Sequence, residues 1–333
     1  MSKLAITVRK AWPQLGAMAL MLLIDFLIFP SFFQVKLIDG RLAGSLIDVL
    51  IRGTPVALLA LGMAGVIATR GIDLSVGAIM AIAGAFAATA IVDGAAWQVA
   101  LLYAVAAGLA CGLWNGILVA ILGIQPIVAT LVLMVAGRGI AQLITSGQIT
   151  TFNDPGFAAL AGGALLGIPA PILIVIVIAA LLALLVRGTA LGLMIEAIGI
   201  NPRASDLVGI NRKTITVAVY VISGFTAALA GVIATADIRG ADANNAGLWL
   251  ELDAILVVVL GGASLLGGRL SYGLTLVGAV TLQALKTGIL LAGFPPQMSL
   301  VLMAIVISVL LVVQAPATQN WLQRRSMRKA AAA

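Results

Sequence analysis

The sequence predicts an all-α integral membrane protein of about ten transmembrane helices, with inverted internal repeats. Three observations carry that prediction. Of 333 residues, 62% are hydrophobic and only 9% charged, with a mean hydropathy of +1.19. A soluble domain carries about 25% charged residues, so this chain lacks the polar groups to cover a water-facing surface. Apolar runs long enough to cross a bilayer recur along its whole length. Basic residues gather at both ends and in one central island, which gives a single membrane orientation.

The same composition excludes several functions. The net charge is +7, from 19 Lys and Arg against 12 Asp and Glu. The positive-inside rule explains that excess, so no nucleic-acid partner is expected. Histidine is absent and Cys111 is the single cysteine. The usual general base, the commonest zinc ligand and any disulfide are therefore missing, and no metal site is expected.

In chain order, Lys3, Arg9 and Lys10 precede an apolar run over about 15–33. That run is too long for a cleaved signal core and reads as a retained first span, with residues 1–14 cytoplasmic. Further spans fall at about 53–69, 74–92, 97–122, 126–145, 170–186, 214–236, 252–267, 271–292 and 298–314. Between the first two, VKLIDGRLAGSLIDVLIR is polar enough to be external. The Gly-, Pro- and Thr-rich stretch Ser146–Pro169 and the polar stretch Asp237–Glu251 are expected outside as well. An even number of crossings returns the C-terminus to the cytoplasm, where the tail 315–333 carries Arg324, Arg325, Arg328 and Lys329. The whole chain, 1–333, reads as one transmembrane domain in the cytoplasmic membrane.

The central island, 187–213, carries Arg187, Glu196, Arg203, Asp206, Arg212 and Lys213 between two spans. Unpaired charge is costly in hydrocarbon, so the island lies outside it, and its parity places it in the cytoplasm. A short helix is legible within it. Asn201 is a good N-cap, Pro202 suits the first helical position, and Gly209 suits a C-terminal stop.

Polar residues inside spans are functional candidates by default. Gly71–Gly77 reads GIDLSVG and breaks an apolar stretch. There Asp73 and Ser75 either line a substrate path or cap the start of a helix, and Arg70 stands close enough in sequence to pair with Asp73. Asn115 lies within a span, Gln125 precedes the helix-starting Pro126, and Thr130 follows. Arg138 and Gln142 are one turn apart and share a face that should point into the protein or a water-filled path. Asn115 and Gln142 either line that path or hydrogen-bond between helices, and Arg138 reads as a structural ion pair or a residue near the outer interface. Asn244 and Asn245 in the external segment, with Asp253 just beyond, suit a mouth for a polar, uncharged ligand. Gly261, Gly262, Gly267 and Gly268 read as packing and turn residues. Duplication is suggested by AGVIAT at both Ala64–Thr69 and Ala230–Thr235, and by GILVAILG from Gly116 beside GILLAG from Gly288. In each pair the two spans run in opposite directions.

Gly199, Asn201, Ala204, Gly209 and Ile210 resemble the G-x-N-x-x-A-x-x-x-x-G-I pattern of ribose/galactose-type sugar permeases of ABC importers. GIDLSVG resembles a signature of the same family, in which glycine commonly stands where Arg70 stands here. GRGIAQLITSGQ and ADIRGADANNAGLWLELDAIL continue the likeness, the latter toward the galactofuranose/galactose subgroup. The resemblance spans about Asp48 to Gln314. It implies a ten-helix fold and a second permease chain, identical or sister. It also implies a cytoplasmic ABC ATPase and a periplasmic sugar-binding protein as partners. On it, residues 201–209 form a coupling helix docked into the ATPase, with Glu196, Gly199, Asn201, Arg203, Ala204, Asp206 and Gly209 at the contact. The chain has no G-x-x-x-x-G-K-[ST], so ATP and magnesium belong on the partner and no cofactor is expected here. The chain reads as a transporter subunit, not an enzyme. Ribose, another pentose or a branched-chain amino acid are alternative substrates, and an ion-coupled secondary transporter is the alternative class.

Overall fold

The computed structural model describes residues 3–38, 40–295 and, beyond them, 298, 300, 301, 304, 305, 307–309 and 312, all helical. The tail 315–333 and much of the expected span 298–314 lie outside the described residues. Thirteen α-helices follow in chain order among the described residues from Lys3 to Leu291. They are α1 (Lys3–Ile28), α2 (Ser45–Arg52), α3 (Thr54–Ala68), α4 (Val76–Val92), α5 (Trp97–Gly116), α6 (Pro126–Ile144) and α7 (Pro155–Gly162). After these come α8 (Ala170–Gly188), α9 (Leu191–Ile200), α10 (Pro202–Leu207), α11 (Arg212–Ile238), α12 (Leu250–Leu260) and α13 (Tyr272–Leu291). Among the described residues, six helices are long and apolar enough to cross a membrane, or seven if α2 and α3, bent by 45°, count as one span.

Local chemistry places the boundaries. Proline stands in the first turn of α3, α6, α7, α8 and α10, where its missing N–H costs nothing. Asp154, Asn211 and Ser271 cap α7, α11 and α13 by accepting from Phe157, Thr214 and Leu274 amides. A π-helical turn, Ile117–Ile121, extends α5.

The bundle is organised around α11. Helix α3 lies antiparallel to it, with Gly62 against Ser223 and Gly65 against Val219. Helix α5 is also antiparallel, with Gly108 on Ala228, Gly112 on Tyr220 and Gly116 on Val217. Helix α4 is parallel, with Met80 on Gly231 and Gly84 on Thr235. A Cβ at Gly112 would lie 2.4 Å from the Tyr220 carbonyl, so only glycine permits this approach. Helices α3 and α4 are apolar all round and almost wholly buried, as central helices must be.

One expected span differs. The run 252–267 forms a helix only over Leu250–Leu260. Gly261 packs against the Leu274 carbonyl of α13, and Gly262 takes a left-handed φ of +83°, which turns the chain out of the helix. Residues 261–271 therefore make a loop, which meets the ends of α3 and α9. At the opposite end of the bundle sit a hairpin (36–38 with 41–43), α7, and a short ladder pairing Thr150–Thr151 with Gly240–Ala241.

Candidate functional site

Three regions hold the polar residues. The first is the break between α3 and α4. Arg70, in the left-handed region at φ +66°, ends α3, and the chain turns back through Gly71–Ser75. Asp73 and Ser75 are fully buried there. Asp73 Oδ1 accepts from the Ser75 amide at 3.0 Å and the Ser75 hydroxyl at 2.6 Å. Its Oδ2 accepts from Ser223 of α11 at 2.8 Å. Asn115 of α5 donates its amide to Ser75 Oγ at 2.8 Å. Thr130 of α6 accepts from the Leu74 amide at 3.1 Å, so a third helix, after α11 and α5, grips the same turn. A buried carboxylate survives only when hydrogen-bonded, and here three donors reach it. Four expected residues, Asp73, Ser75, Asn115 and Thr130, thus converge on one buried knot. The expected Arg70–Asp73 pair does not form; the Arg70 guanidinium points the other way.

The second break, between α11 and α12, repeats this chemistry. AGVIAT is followed by Arg70-Gly71-Ile72-Asp73 in one case and, three residues later, by Arg239-Gly240-Ala241-Asp242 in the other. Both arginines are left-handed, at φ +66° and +50°. Both aspartates accept from the amide two residues on, Ser75 or Asn244. The two breaks meet: a Cβ on Gly77 would lie 2.3 Å from the Gly247 carbonyl, and one on Gly247 2.3 Å from that of Gly77. Helices α4 and α12 therefore start face to face. The Asn245 side-chain amide, with the 244 and 245 backbone amides and Arg138, holds Asp242 below the usual carboxylate range. Arg138 donates to the Ala243 and Ala246 carbonyls, and Gln142 to Asn244 Oδ1 at 2.8 Å. Asn244 and Asn245 are exposed. A cleft of about 580 Å³ beside them is lined by Asp48, Arg52, Asp237, Asp242 and Asn245. Asp253 does not face it; its carboxylate pairs with Lys286 of α13 at 2.5 Å. Gln125 stands exposed at the start of α6, without capping it.

The third region is the island. Asn201 caps α10, accepting from the Ala204 amide at 3.1 Å, and Gly209 ends it at φ +82°. Arg203, Ala204, Asp206, Leu207 and Val208 are exposed, with Asp206 3.7 Å from Arg212. Two residues expected at the partner contact face inward instead. Gly199 is buried, because a Cβ there would stand 1.9 Å from the Ala68 carbonyl and 2.3 Å from the Gly268 amide. Glu196 accepts from the Leu270 amide at 3.0 Å. The sequence reading missed Ser223, one hydroxyl in an apolar run, and the exposed apolar pair Leu207 and Val208, 88% and 75% exposed. Two large apolar side chains at the end of a six-residue helix that carries charge, Leu207 its last residue and Val208 just past it, were the available signal.

Residues 45–311 match the family of branched-chain amino acid transport system permease components. The chain is 59% identical to the galactofuranose transporter permease protein of Escherichia coli K12, over 91% of this chain and 89% of that one. It is 46% identical to the fructose import permease protein of Bifidobacterium longum, over 84% and 80%. It is 36% identical to the ribose import permease protein of Escherichia coli K12, over 91% and 94%. No solved structure matches.

Proposed function

Because this chain belongs to the branched-chain amino acid transport system permease component family, we propose that it is the membrane-spanning subunit of an ATP-driven importer for a monosaccharide of the galactofuranose/galactose type. It is a transporter subunit and not an enzyme. The 59% identity along nearly the whole chain carries the substrate class; ribose, another pentose or a branched-chain amino acid would be the next to test. An ion-coupled mechanism is disfavoured, because Asp73 is sealed among Ser75 and Ser223 rather than aimed at a cavity.

The protein would sit in the cytoplasmic membrane with both termini inside and, as the sequence leads one to expect, ten crossings. Two inverted repeats would each contain one broken pair, α3/α4 and α11/α12. The matched Arg-Gly-x-Asp turns, left-handed arginines and stacked glycines support that reading. Sugar would enter beside Gln142, Asn244 and Asn245, on a loop held by Arg138 and Asp242. Asp73, Ser75, Asn115 and Thr130 would hold the break beneath it, and Asp253 would act through its pairing with Lys286. Gln125 would lie at the inner end of the path.

Helix α10 would dock into a cytoplasmic ABC ATPase, which carries the ATP and magnesium. Leu207, Val208 and Ala204 would enter its groove, with Arg203 and Asp206 on the rim. Asn201 and Gly209 would shape the helix, and Glu196 and Gly199 would anchor it from behind. A second permease chain and a periplasmic sugar-binding protein would complete the importer. Leu207→Asp is expected to remove ATPase from pull-downs while the bundle still inserts and folds, since this side chain touches little of its own protein. A burial cost of several kcal/mol for the new charge drives that loss. Unchanged pull-down would refute docking through α10.

Orientation has its own test. In a Cys111→Ala background, Asn245→Cys should react with an impermeant thiol reagent from outside, and Leu207→Cys only after the membrane is opened. The reverse pattern would overturn the topology. Leu207 is chosen over neighbouring Ser205 because Ser205 is buried.

A further inference from the structure

Arg70 ends α3 in a backbone conformation that suits glycine, yet it carries a long charged side chain. The turn itself is ordinary: the Arg70 amide donates to Ile67 and the Gly71 amide to Val66, which closes the helix. What distinguishes it is the guanidinium. Nε donates to the Gly199 carbonyl at 2.5 Å and Nη2 to the Ile200 carbonyl at 2.6 Å. These are the last two carbonyls of α9, and the next residue, Asn201, is the cap of α10. Neither carbonyl receives a backbone amide among the described residues; for Ile200 the helical donor, the Ala204 amide, goes instead to the Asn201 side chain.

The contact is a fork across 129 and 130 residues of sequence, and one planar group supplies both donors. Its surroundings are backbone on backbone. The Gly268 amide donates to the Ala68 carbonyl at 3.0 Å, and a Cβ on Gly267 would meet the Arg70 side chain at 2.7 Å. Three residues beyond Arg70 stands Asp73, tied to α11 through Ser223 and, by way of Ser75, to α5. One side of Arg70 thus grips the segment that carries α10, and the other is continuous with the turn that joins α3 to α4 and is held by α5, α6 and α11. The matching residue of the other break, Arg239, is exposed and makes no side-chain hydrogen bond among the described residues. The fork is therefore not a by-product of the left-handed turn.

We propose that Arg70 is a positioning residue that couples movement of α10 to the α3–α4 break, so that ATP hydrolysis on the partner is converted into rearrangement of the sugar path. The proposal rests on the importer reading above. It makes α3 and α10 move as one body, with Arg70 as the joint between them.

Two variants test it in vesicles holding the complete importer, with sugar imported per ATP hydrolysed as the readout. Arg70→Gly removes the fork but relieves the left-handed backbone, so the two effects offset and its unfolding temperature should stay close to that of the wild type. It should still co-purify with the ATPase and hydrolyse ATP, while the import ratio falls at least tenfold. Arg70→Lys, which offers one ammonium in place of a planar fork, should restore part of the ratio. A side chain needed only for folding would lower both rates together and leave their ratio unchanged. Arg70→Gly with a wild-type ratio would overturn the proposal. So would loss of folding or of ATPase co-purification in that variant, because Arg70 would then be a fold or docking residue. Failure of the importer reading would show first in the wild-type vesicles, as hydrolysis without sugar uptake.

Discussion

Gly199→Ala is expected to disable the importer from inside this chain. The new methyl would stand 1.9 Å from the Ala68 carbonyl, 2.3 Å from the Gly268 amide and 2.9 Å from Gly268 Cα. All three are backbone atoms, so no flexible side chain can swing aside. The Ala68–Gly268 hydrogen bond at 3.0 Å must open, and the end of α9 must move off α3. Overpacking of this kind costs about 1–3 kcal/mol, and the lost hydrogen bond adds about 1 kcal/mol. Movement of α9 also draws the Gly199 and Ile200 carbonyls away from Arg70. Thermal unfolding in detergent should show a lowered midpoint, and ATPase pull-down should weaken although residue 199 lies beneath the proposed docking helix rather than on it. An unchanged midpoint with unchanged pull-down would show that α9 does not bear on α3 as described.

Asp73→Ala should be the second severe change. It leaves the Ser75 amide, the Ser75 hydroxyl and the Ser223 hydroxyl without their acceptor in a fully buried place. Each unsatisfied buried donor costs about 1–3 kcal/mol. Hydroxyls can rotate toward backbone carbonyls, so a total of about 2–5 kcal/mol is expected. The loss falls at the junction of α3, α4, α5 and α11, and the folded yield should drop sharply. Asp73→Asn keeps one acceptor oxygen and should be milder, and Ser223→Ala should cost about 1 kcal/mol. The order Ala, then Asn, then the Ser223 variant, read from unfolding midpoints, checks the knot. Equal midpoints for all three would contradict it.

How much of this could be read from the chain varies by element. Boundaries set by local chemistry were legible: Pro126 opens α6, Asn201 caps α10, Gly209 ends it, and GIDLSVG breaks the helix. Six of the ten expected apolar runs, 15–33, 97–122, 126–145, 170–186, 214–236 and 271–292, coincide with helices long enough to cross, because the length of an unbroken run depends only on neighbouring residues. Helix α12 was misjudged because its apolar run continues past Gly261 and Gly262, which stop the helix through contact with α13 and a left-handed turn. Asp73 and Ser75 read equally as path or cap residues; Ser223, 150 residues away, ties Asp73 into a buried knot that no local pattern announces. The partner of Arg70 lies 129 residues distant, whereas proximity in sequence favoured Asp73. Gly199 read as a docking glycine because its neighbours do lie on an exposed helix, while its own close approach is to Ala68. Long-range backbone contacts leave no local pattern, and the site residues misplaced by sequence all depend on them.

The central claim is that this chain forms a sugar path driven by ATP on a docked partner. Vesicles reconstituted with the permease and its ATPase, given the sugar-loaded binding protein on the permease's outer side and ATP on the ATPase side, test it directly. Labelled galactofuranose or galactose should cross only with ATP, stop with vanadate, and stop again when the permease carries Leu207→Asp. Uptake that persisted without ATP, or that followed an imposed ion gradient instead, would contradict the account.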